Sequence, residues 1–288
     1  MRGTRAGATD VGGNGGAWTP VDLERAMTNV RDAYRHFAEG FPAGRSETDG
    51  NLLLIDSGTS LTELNIAFVT GRGAGLAAAL RKAAKYFADR GLPWRLEAGE
   101  SLGPTVGRLA AALGLSEPHH RPGLLCHAPF EGMSRPPKGA TVRRVRSPSE
   151  ATIFAHVLAT GTGFDPPPEL FDVPFHRLPD MRAYLAFVGD APAACSLLHL
   201  QGGFAGVYAV ATIDAFRRQG LARAVTSESL HDALAEGYRA SCLQASTMGL
   251  PVYLGMGFQP VFDDVTWSSP DAGPDLAAPP PPTRRRKS

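Results

Sequence analysis

Residues 207–223, VYAVATIDAFRRQGLAR, read as a buried strand, a short turn and the start of a helix. Gly220 lets the backbone approach a ligand closely because it has no Cβ, and Ala222 is too small to obstruct that approach. Backbone amides at a helix N-terminus point at an anion. Three arginines add positive charge to the same turn: Arg217, Arg218 and Arg223. The stretch therefore predicts a diphosphate-binding turn; it lacks the Gly-Lys-Ser/Thr ending of the nucleoside-triphosphate loop and the dinucleotide glycine fingerprint.

The order of the small residues in this turn resembles the coenzyme A pyrophosphate loop of the GNAT acetyltransferase superfamily, Q/R-x-x-G-x-G/A. Here the pattern reads Arg217-x-x-Gly220-x-Ala222. Further along the chain come LQAS at 243–246 and PVYLGMGF at 251–258. In the family, a tyrosine four residues before a Gly-Phe pair lies beside the thioester sulfur, and Tyr253 has that position. The resemblance implies that Tyr253 is the catalytic acid that protonates the departing thiolate.

The same resemblance implies an N-acyltransferase that uses acetyl-CoA, or another acyl-CoA, as co-substrate and needs no metal. Its acceptor would be an amine of a small molecule or peptide, which attacks the thioester directly. Backbone groups of the strand would pair with pantetheine, and amides near Val210 and Ala211 would stabilise the oxyanion. The implied cofactor-binding residues are Val210, Ala211, Thr212, Arg217, Arg218, Gln219, Gly220, Leu221, Ala222, Arg223 and Ser246.

The general base is not implied. Many relatives carry a glutamate at the start of this strand, where Gly206 stands in this chain. Four side chains near the expected site are candidates for the role: His199, Asp165, Glu169 and His176. A water relay or an acceptor that arrives already deprotonated are the other possibilities.

The pattern along the chain predicts an α/β protein of two tandem GNAT-like domains, each a mixed, mostly antiparallel sheet flanked by helices. The predicted divisions are a disordered tail over 1–17, a degenerate GNAT-like domain over 18–135, a catalytic GNAT domain over 136–267, and a disordered Pro-rich basic tail over 268–288. Capping by Thr19 predicts a helix from Pro20 to about Gly40. The uncharged run 191–213 is interrupted by glycines and reads as a hairpin of two buried strands, not as a membrane span.

The first half repeats the second in a degenerate form. Residues 66–70, IAFVT, match the strand that ends at Thr212, and Leu-Gly-Leu at 113–115 matches Met-Gly-Phe at 256–258. Ala110 stands where Tyr253 stands in the second half. The segment RGAGLA at 72–77 also fits R-x-x-G-x-A, but its shorter distance from the strand favours a chance match. One acyl-CoA per chain is therefore expected.

Charge and cysteine content limit the partners. The formal charge of the 288 residues is +1, and four of the 29 basic residues lie in the RRRK run 284–287, which leaves 25 basic against 28 acidic residues elsewhere. This balance argues against a nucleic-acid partner. The three cysteines form no CxxC pair, so neither disulfides nor a zinc site are expected. The N-terminus lacks an apolar signal core, and a cytoplasmic protein without a membrane partner is predicted.

Two alternatives stay open. A non-catalytic acyl-CoA-binding or scaffolding module would keep the diphosphate turn without a competent base, and the missing glutamate favours it. An aminoacyl-tRNA-dependent transferase, a use made of this fold by some tandem relatives, is disfavoured by the intact coenzyme A loop and the slightly acidic body.

Overall fold

The computed structural model describes residues 17–272. The predicted tails, 1–17 and 268–288, lie outside the described residues except for Ala17 and residues 268–272. The helices are α1 (Pro20–Glu39), α2 (Leu76–Arg90), α3 (Gly103–Ala112), α4 (Pro148–Thr162), α5 (Leu221–Ala235) and α6 (Leu250–Leu254). The strands are β1 (Arg45–Asp49), β2 (Leu52–Asp56), β3 (Ile66–Val69), β4 (Arg95–Gly99), β5 (His119–His127), β6 (Ala140–Arg144), β7 (Met181–Val188), β8 (Ala191–Gln201), β9 (Phe204–Thr212), β10 (Ala240–Gln244) and β11 (Gln259–Ser268).

All the described strands join in one mixed sheet. Its order is β1-β2-β3-β4-β11-β5-β10-β9-β8-β7-β6. Only β3 with β4 and β9 with β10 pair in parallel, each pair being connected through a helix. The two halves exchange strands, since β5 from the first half lies against β10 and β11 from the second half lies against β4. The sequence halves therefore meet along a hydrogen-bonded sheet and not merely through a side-chain contact.

Helices cover both faces of this sheet. Helices α1 and α4 pack on one face, which includes Ile66, Phe68, Cys195 and Leu197. The alternate residues of the same strands point to the opposite face, where α2 and α3 cover the first half and α5 and α6 the second. This alternation is the period-2 pattern of strands buried on both faces. The result is a helix–sheet–helix sandwich.

Helix α1 joins the two halves on its face of the sheet. It begins as predicted: Thr19 is the N-cap residue before Pro20, and Thr19 and Asp22 form a reciprocal capping box. Its fully buried Asn29 lies against the β8–β9 hairpin. The Asn29 side-chain amide donates to the carbonyl oxygens of Gln201 at 2.9 Å and Phe204 at 3.1 Å. Helix α1, which belongs to the first half, is therefore hydrogen-bonded to the β8–β9 hairpin. Strand β9 of this hairpin leads into the predicted diphosphate-binding turn.

Replacement of Asn29 by alanine should lower the free energy of unfolding by about 2–4 kcal/mol, because buried carbonyl groups would lose their donor. Urea unfolding followed by circular dichroism measures this loss. Thr28→Ala, one residue earlier and only half-buried, is the matched control and should change stability by about 0.5 kcal/mol or less. Equal midpoints for the two variants would show that Asn29 does not fasten the helix.

Three strands have no counterpart in the sequence prediction. Strand β1 has the polar sequence RSETD and lies at the sheet edge, so it carries no apolar alternation. Strand β7 is buried on both faces and reads as a continuous apolar run. Strand β5 contains Pro122, which disfavours a strand, and begins with His119 and His120. These two histidines pair with Thr266 and Val265 of β11.

The internal repeat is visible in the backbone. Gly75 and Gly220 precede α2 and α5 as N-cap residues, with positive φ angles of 98° and 80°. The carbonyl oxygens of Ala110 and Tyr253 accept equivalent hydrogen bonds, from the amides of Leu115 and Phe258. The RGAGLA match therefore shares the left-handed glycine N-cap of the second-half turn, but Arg218 has a positive φ and the aligned Gly73 does not. The two halves also differ in how their parallel strands separate.

Candidate active site

Strands β9 and β10 diverge along their length. They are in register only from Phe204 to Gly206, opposite Ala240 to Cys242. Strands β3 and β4, in contrast, stay paired to the last residue of β3, Val69, opposite Ala98. In the second half, a gap therefore opens between the carboxyl ends of the two parallel strands. In the first half, the equivalent strands stay paired and leave no gap.

A β-bulge interrupts the pairing of β9 with β8 beside the gap. The register with β8 shifts between Tyr208 and Ala211, so Ala209 and Val210 lie outside the regular pairing. Ala209 has a φ of 48°, a left-handed conformation that costs a non-glycine residue of order 1–3 kcal/mol. Its carbonyl oxygen accepts a hydrogen bond from the buried Cys195 thiol at 3.4 Å. The strained residue therefore lies next to the gap, and the hydrogen bond from Cys195 supports its conformation.

The predicted diphosphate turn begins α5. Gly220 is the N-cap of the helix and no side chain caps it, so no capping side chain occupies the amides of the first turn, Leu221, Ala222 and Arg223. Gly220 itself is exposed. This helix of 15 residues thus presents uncapped amides and the positive end of its dipole. The arrangement fits a diphosphate group.

The three arginines of the turn have different surroundings. Arg217 donates to the carbonyl oxygens of Thr212 and Gly161 at 3.2 and 2.9 Å, and pairs with Asp214 at 2.7 Å. It therefore fastens the end of β9 to the end of α4. Arg218 is exposed and takes a φ of 60°. The Arg223 guanidinium lies against Gly255 at the end of α6, where a Cβ on that glycine would approach to 2.6 Å.

A cavity of about 220 Å³ occupies the gap. Its walls include β9 residues 207–210, residues 244–246 at the end of β10, and Tyr253. Tyr253 and Val207 belong to the core cluster under α5, whereas Tyr208 packs with the cluster under α1 and α4. The cavity therefore connects the two faces of the sheet.

Tyr253 lies in this cavity on α6, with its ring edge-on to Phe258 at a centroid distance of 6.1 Å. Its residue exposure is only 7%. Burial raises the pKa of Tyr253 above the ordinary tyrosine value, because the phenolate would be poorly solvated. The phenol therefore keeps its proton through the physiological range. Ser246 also lines the cavity, and its hydroxyl accepts from the Gly249 amide at 3.1 Å.

Gly206 leaves room that other side chains fill. A Cβ on Gly206 would lie 2.1 Å from Asn29 Oδ1 and 2.6 Å from the Tyr208 hydroxyl oxygen. Any larger residue at position 206, glutamate included, would displace both groups. Tyr208 lines the cavity and donates its hydroxyl proton to Asn29 Oδ1 at 2.7 Å. A phenol thus occupies the place of the carboxylate that is missing from the sequence.

The structure brings none of the four candidate bases to the cavity wall. His199 is fully buried, and burial together with neighbouring His36 lowers its pKa to about 4. Asp165 and Glu169 are exposed, and His176 is half-buried. The residues of the 161–179 segment that do line the cavity are Thr162, Phe164 and Leu170. The titratable side chains of this segment therefore lie off the cavity wall, while three of its other residues line it.

The polar end of the cavity comes from residues that sequence reasoning missed. Glu63, in the 3-10 turn Thr62–Leu64, lines the cavity with Arg121 of β5. Glu63 pairs with Arg121 at 3.2 Å and with the buried Arg95. The Tyr34 hydroxyl on α1 donates to Gln244 Oε1 at 3.1 Å. These side chains are far apart in sequence and meet only through the strand exchange, so no local pattern marks them.

Behind this wall lies a buried carboxyl pair. The Gln244 amide donates to Glu97 at 2.9 Å and to Asp264 at 2.6 Å. Burial, and then the charge of Glu97, raise the pKa of Asp264 to about 7. The bridge fixes the orientation of Gln244 at the cavity surface.

Residues 17–272 hold no cluster of three or more His, Cys, Asp or Glu side chains arranged to bind a metal ion. Within the same range, no helix combines the length and apolar composition required to cross a bilayer.

Comparison with solved structures identifies the fold. A GCN5-related N-acetyltransferase from Kribbella flavida aligns with a TM-score of 0.65 and 20% identity, covering 87% of this chain and 95% of its own. A tandem GNAT protein from the clavulanic acid biosynthesis pathway aligns with a TM-score of 0.54 and 16% identity, covering 89% and 98%. A GCN5-related N-acetyltransferase from Sphaerobacter thermophilus gives 0.54 and 18%, covering 74% and 75%. No protein-family model matches the chain, and no curated protein matches it in sequence.

Proposed function

We propose, from the tandem fold of the GCN5-related N-acetyltransferases that this chain has, that it is an acyl-CoA-dependent N-acyltransferase. Acetyl-CoA is the proposed acyl donor and a small-molecule amine the proposed acceptor. One observation carries the proposal: the uncapped α5 N-terminus follows directly on the strand that diverges to form the cavity. In this proposal, diphosphate binding and acyl transfer would occur at the two ends of one connected site.

The cofactor-binding residues proposed from sequence keep their roles in this arrangement. The amides that begin α5 would hold the diphosphate, with Arg218 and Arg223 adding positive charge from the same turn. The segment 210–212, which has no partner strand on the β10 side, would pair with the amides of pantetheine. Arg217 would act indirectly, by holding the end of β9. Ser246 would contact the thioester end from the opposite wall of the cavity.

Two groups would act on the reacting atoms. The bulge at Ala209 and Val210 presents backbone outside the β8 register, where an amide can stabilise the oxyanion as the acceptor nitrogen attacks. Tyr253 would donate its proton to the sulfur as the carbon–sulfur bond breaks. Because burial keeps the phenol protonated, this donor is ready over the whole neutral pH range.

The first half would serve as structural support and as a wall of the acceptor site. It supplies Tyr34, Glu63 and Arg121 to the cavity, while Ala110, at the position equivalent to Tyr253, is buried and cannot act as an acid. The paired strands β3 and β4 leave no slot for pantetheine beside Gly75. We therefore assign the catalytic role to residues 136–267 and a supporting role to the first half.

A non-catalytic acyl-CoA-binding module is the second candidate, because no carboxylate replaces the glutamate missing at Gly206. Screening an amine library with acetyl-CoA, with products identified by mass spectrometry, separates the two. N-acetylated products are expected. Binding of acetyl-CoA without transfer to any amine would favour the module, and acylation of hydroxyl acceptors alone would contradict N-acyl transfer.

A further inference from the structure

The Tyr208 hydroxyl is locked in one orientation. The nitrogen of the Asn29 amide lies among three carbonyl oxygens, those of Gln201, Phe204 and His199, at 2.9, 3.1 and 3.4 Å. Carbonyl oxygens only accept hydrogen bonds, so the amide atom among them must be the NH₂ group, which donates chiefly to Gln201 and Phe204, and the other end of the amide must be the oxygen. Tyr208 therefore donates to Asn29 Oδ1. Its phenol oxygen then accepts the weak hydrogen bond of the Cys242 thiol at 3.8 Å, which leaves a second lone pair, and Tyr208 lines the cavity.

That acceptor carries no charge. Burial raises the pKa of Tyr208 well above the ordinary value, so the group is a neutral phenol at physiological pH. A neutral oxygen can hold an N–H group in position, but it cannot take a proton from an ammonium ion. The chemistry at this point differs from that of a carboxylate, which both attracts and deprotonates a charged amine.

The rest of the cavity does not replace the missing carboxylate. Among the described residues that line it, Glu63 is the one carboxylate, and it is ion-paired with Arg121 and with Arg95, which also pairs with Glu97. The remaining wall is mostly aliphatic or aromatic, with Phe37, Phe164 and Leu170 facing the space. An ammonium ion entering here would lose its hydration beside a carboxylate that is already ion-paired.

We infer that the acceptor is a weakly basic amine, uncharged at neutral pH and with an apolar or aromatic body, whose nitrogen is oriented by the phenol oxygen of Tyr208. The inference rests on the proposed acyl transfer. The nitrogen lone pair forms the bond to the thioester carbonyl carbon, the carbon–sulfur bond breaks, and Tyr253 protonates the sulfur. The proton lost by the nitrogen passes through water and restores the phenol of Tyr253.

Two amines with the same ring test the substrate class in the unmodified protein. Aniline is neutral at pH 7, whereas the nitrogen of benzylamine is protonated. With acetyl-CoA at pH 7, we expect kcat/KM for aniline to exceed that for benzylamine by about 10²-fold. Between pH 7 and 9 the benzylamine value should rise about 10-fold per pH unit while the aniline value stays level. Equal or better use of benzylamine at pH 7 would overturn the inference.

Substitutions identify the residue responsible. Tyr208→Phe should raise KM for aniline and lower kcat/KM by about 10-fold or more, with the affinity for acetyl-CoA unchanged. Tyr184→Phe is the matched control, since its hydroxyl donates to Asp232 at 2.5 Å and Tyr184 does not line the cavity, and it should change kcat/KM by less than about threefold. Unchanged KM and kcat/KM for aniline in the Tyr208→Phe variant would contradict the assignment. Loss of activity in Glu63→Gln, in a folded protein, with efficient use of benzylamine would make Glu63 the base instead.

Calorimetric titration of aniline into the protein saturated with coenzyme A separates this inference from the proposed function. Aniline binding that is lost in Tyr208→Phe, without acetyl transfer to any amine, would contradict the acyltransferase and support the subsite. Acetyl transfer to alkylamines, with no binding preference for aniline, would support the acyltransferase and contradict the subsite. Absence of both binding and transfer would contradict both.

Discussion

Replacement of Gly220 by glutamate should abolish acetyl-CoA binding, with an affinity loss of about 10³-fold or more, while the protein stays folded. Gly220 is the left-handed N-cap of α5 and no side chain caps the helix. A glutamate there would place a carboxylate next to the amides proposed to hold the diphosphate and would repel the ligand. Calorimetry with acetyl-CoA measures the loss.

A matched variant controls for backbone strain. Gly91 ends α2 with a φ of 62°, and nothing lies within 4 Å of a Cβ built there. Gly91→Glu therefore carries the same left-handed penalty, of about 1–2 kcal/mol, far from the turn in sequence and in the other half. It should bind acetyl-CoA with unchanged affinity. If Gly220→Glu were folded and bound acetyl-CoA as tightly as Gly91→Glu, the diphosphate assignment would be wrong.

The second large effect is expected at Tyr253. Tyr253→Phe keeps the ring packed on Phe258 and removes only the proton donor, so turnover should fall about 10²-fold or more with nearly unchanged acetyl-CoA affinity. Burial favours the neutral phenol and raises its pKa. Ionisation of Tyr253 should therefore produce no fall in kcat below pH 10 in the unmodified enzyme. Steady-state kinetics over that range check both points, and equal turnover in the phenylalanine variant would reduce Tyr253 to a packing role.

Local signals in the sequence were enough for the elements around the site. The capping box at Thr19 marks the start of α1, the paired glycines 202 and 203 mark the β8–β9 turn, and Gly220 marks the start of α5. Each rests on a conformational preference of one or two residues. Such preferences act over a few positions, so they are readable without knowledge of the rest of the chain.

The strand exchange and the bulge could not be predicted from local sequence, because both depend on contacts between residues far apart in the chain. Nothing near Pro122 indicates that β5 inserts between β11 and β10, because that placement is decided by long-range pairing. Ala209 is an unlikely residue for a positive φ, and the strain is sustained by packing from Cys195 and α4. Strand-edge and bulge positions are set by tertiary context.

The second match to the R-x-x-G-x-A pattern, at residues 72–77, shows that a short motif does not by itself define an acyl-CoA site. Gly75 does cap α2 in the left-handed conformation, so the helix start is preserved. What differs is the neighbouring pair of strands, which remains closed up to Val69 and Ala98. A diphosphate turn without a slot for pantetheine does not make an acyl-CoA site, and the slot depends on strand divergence that no short motif encodes.

Titration with acetyl-CoA across three forms of the chain tests the central claim most directly: one acyl-CoA site, in the gap between β9 and β10. The unmodified protein and Gly75→Glu should each bind one equivalent, and Gly220→Glu none. Two equivalents bound by the unmodified protein, with one lost in Gly75→Glu, would contradict the claim, as would a single equivalent that is lost in Gly75→Glu and kept in Gly220→Glu.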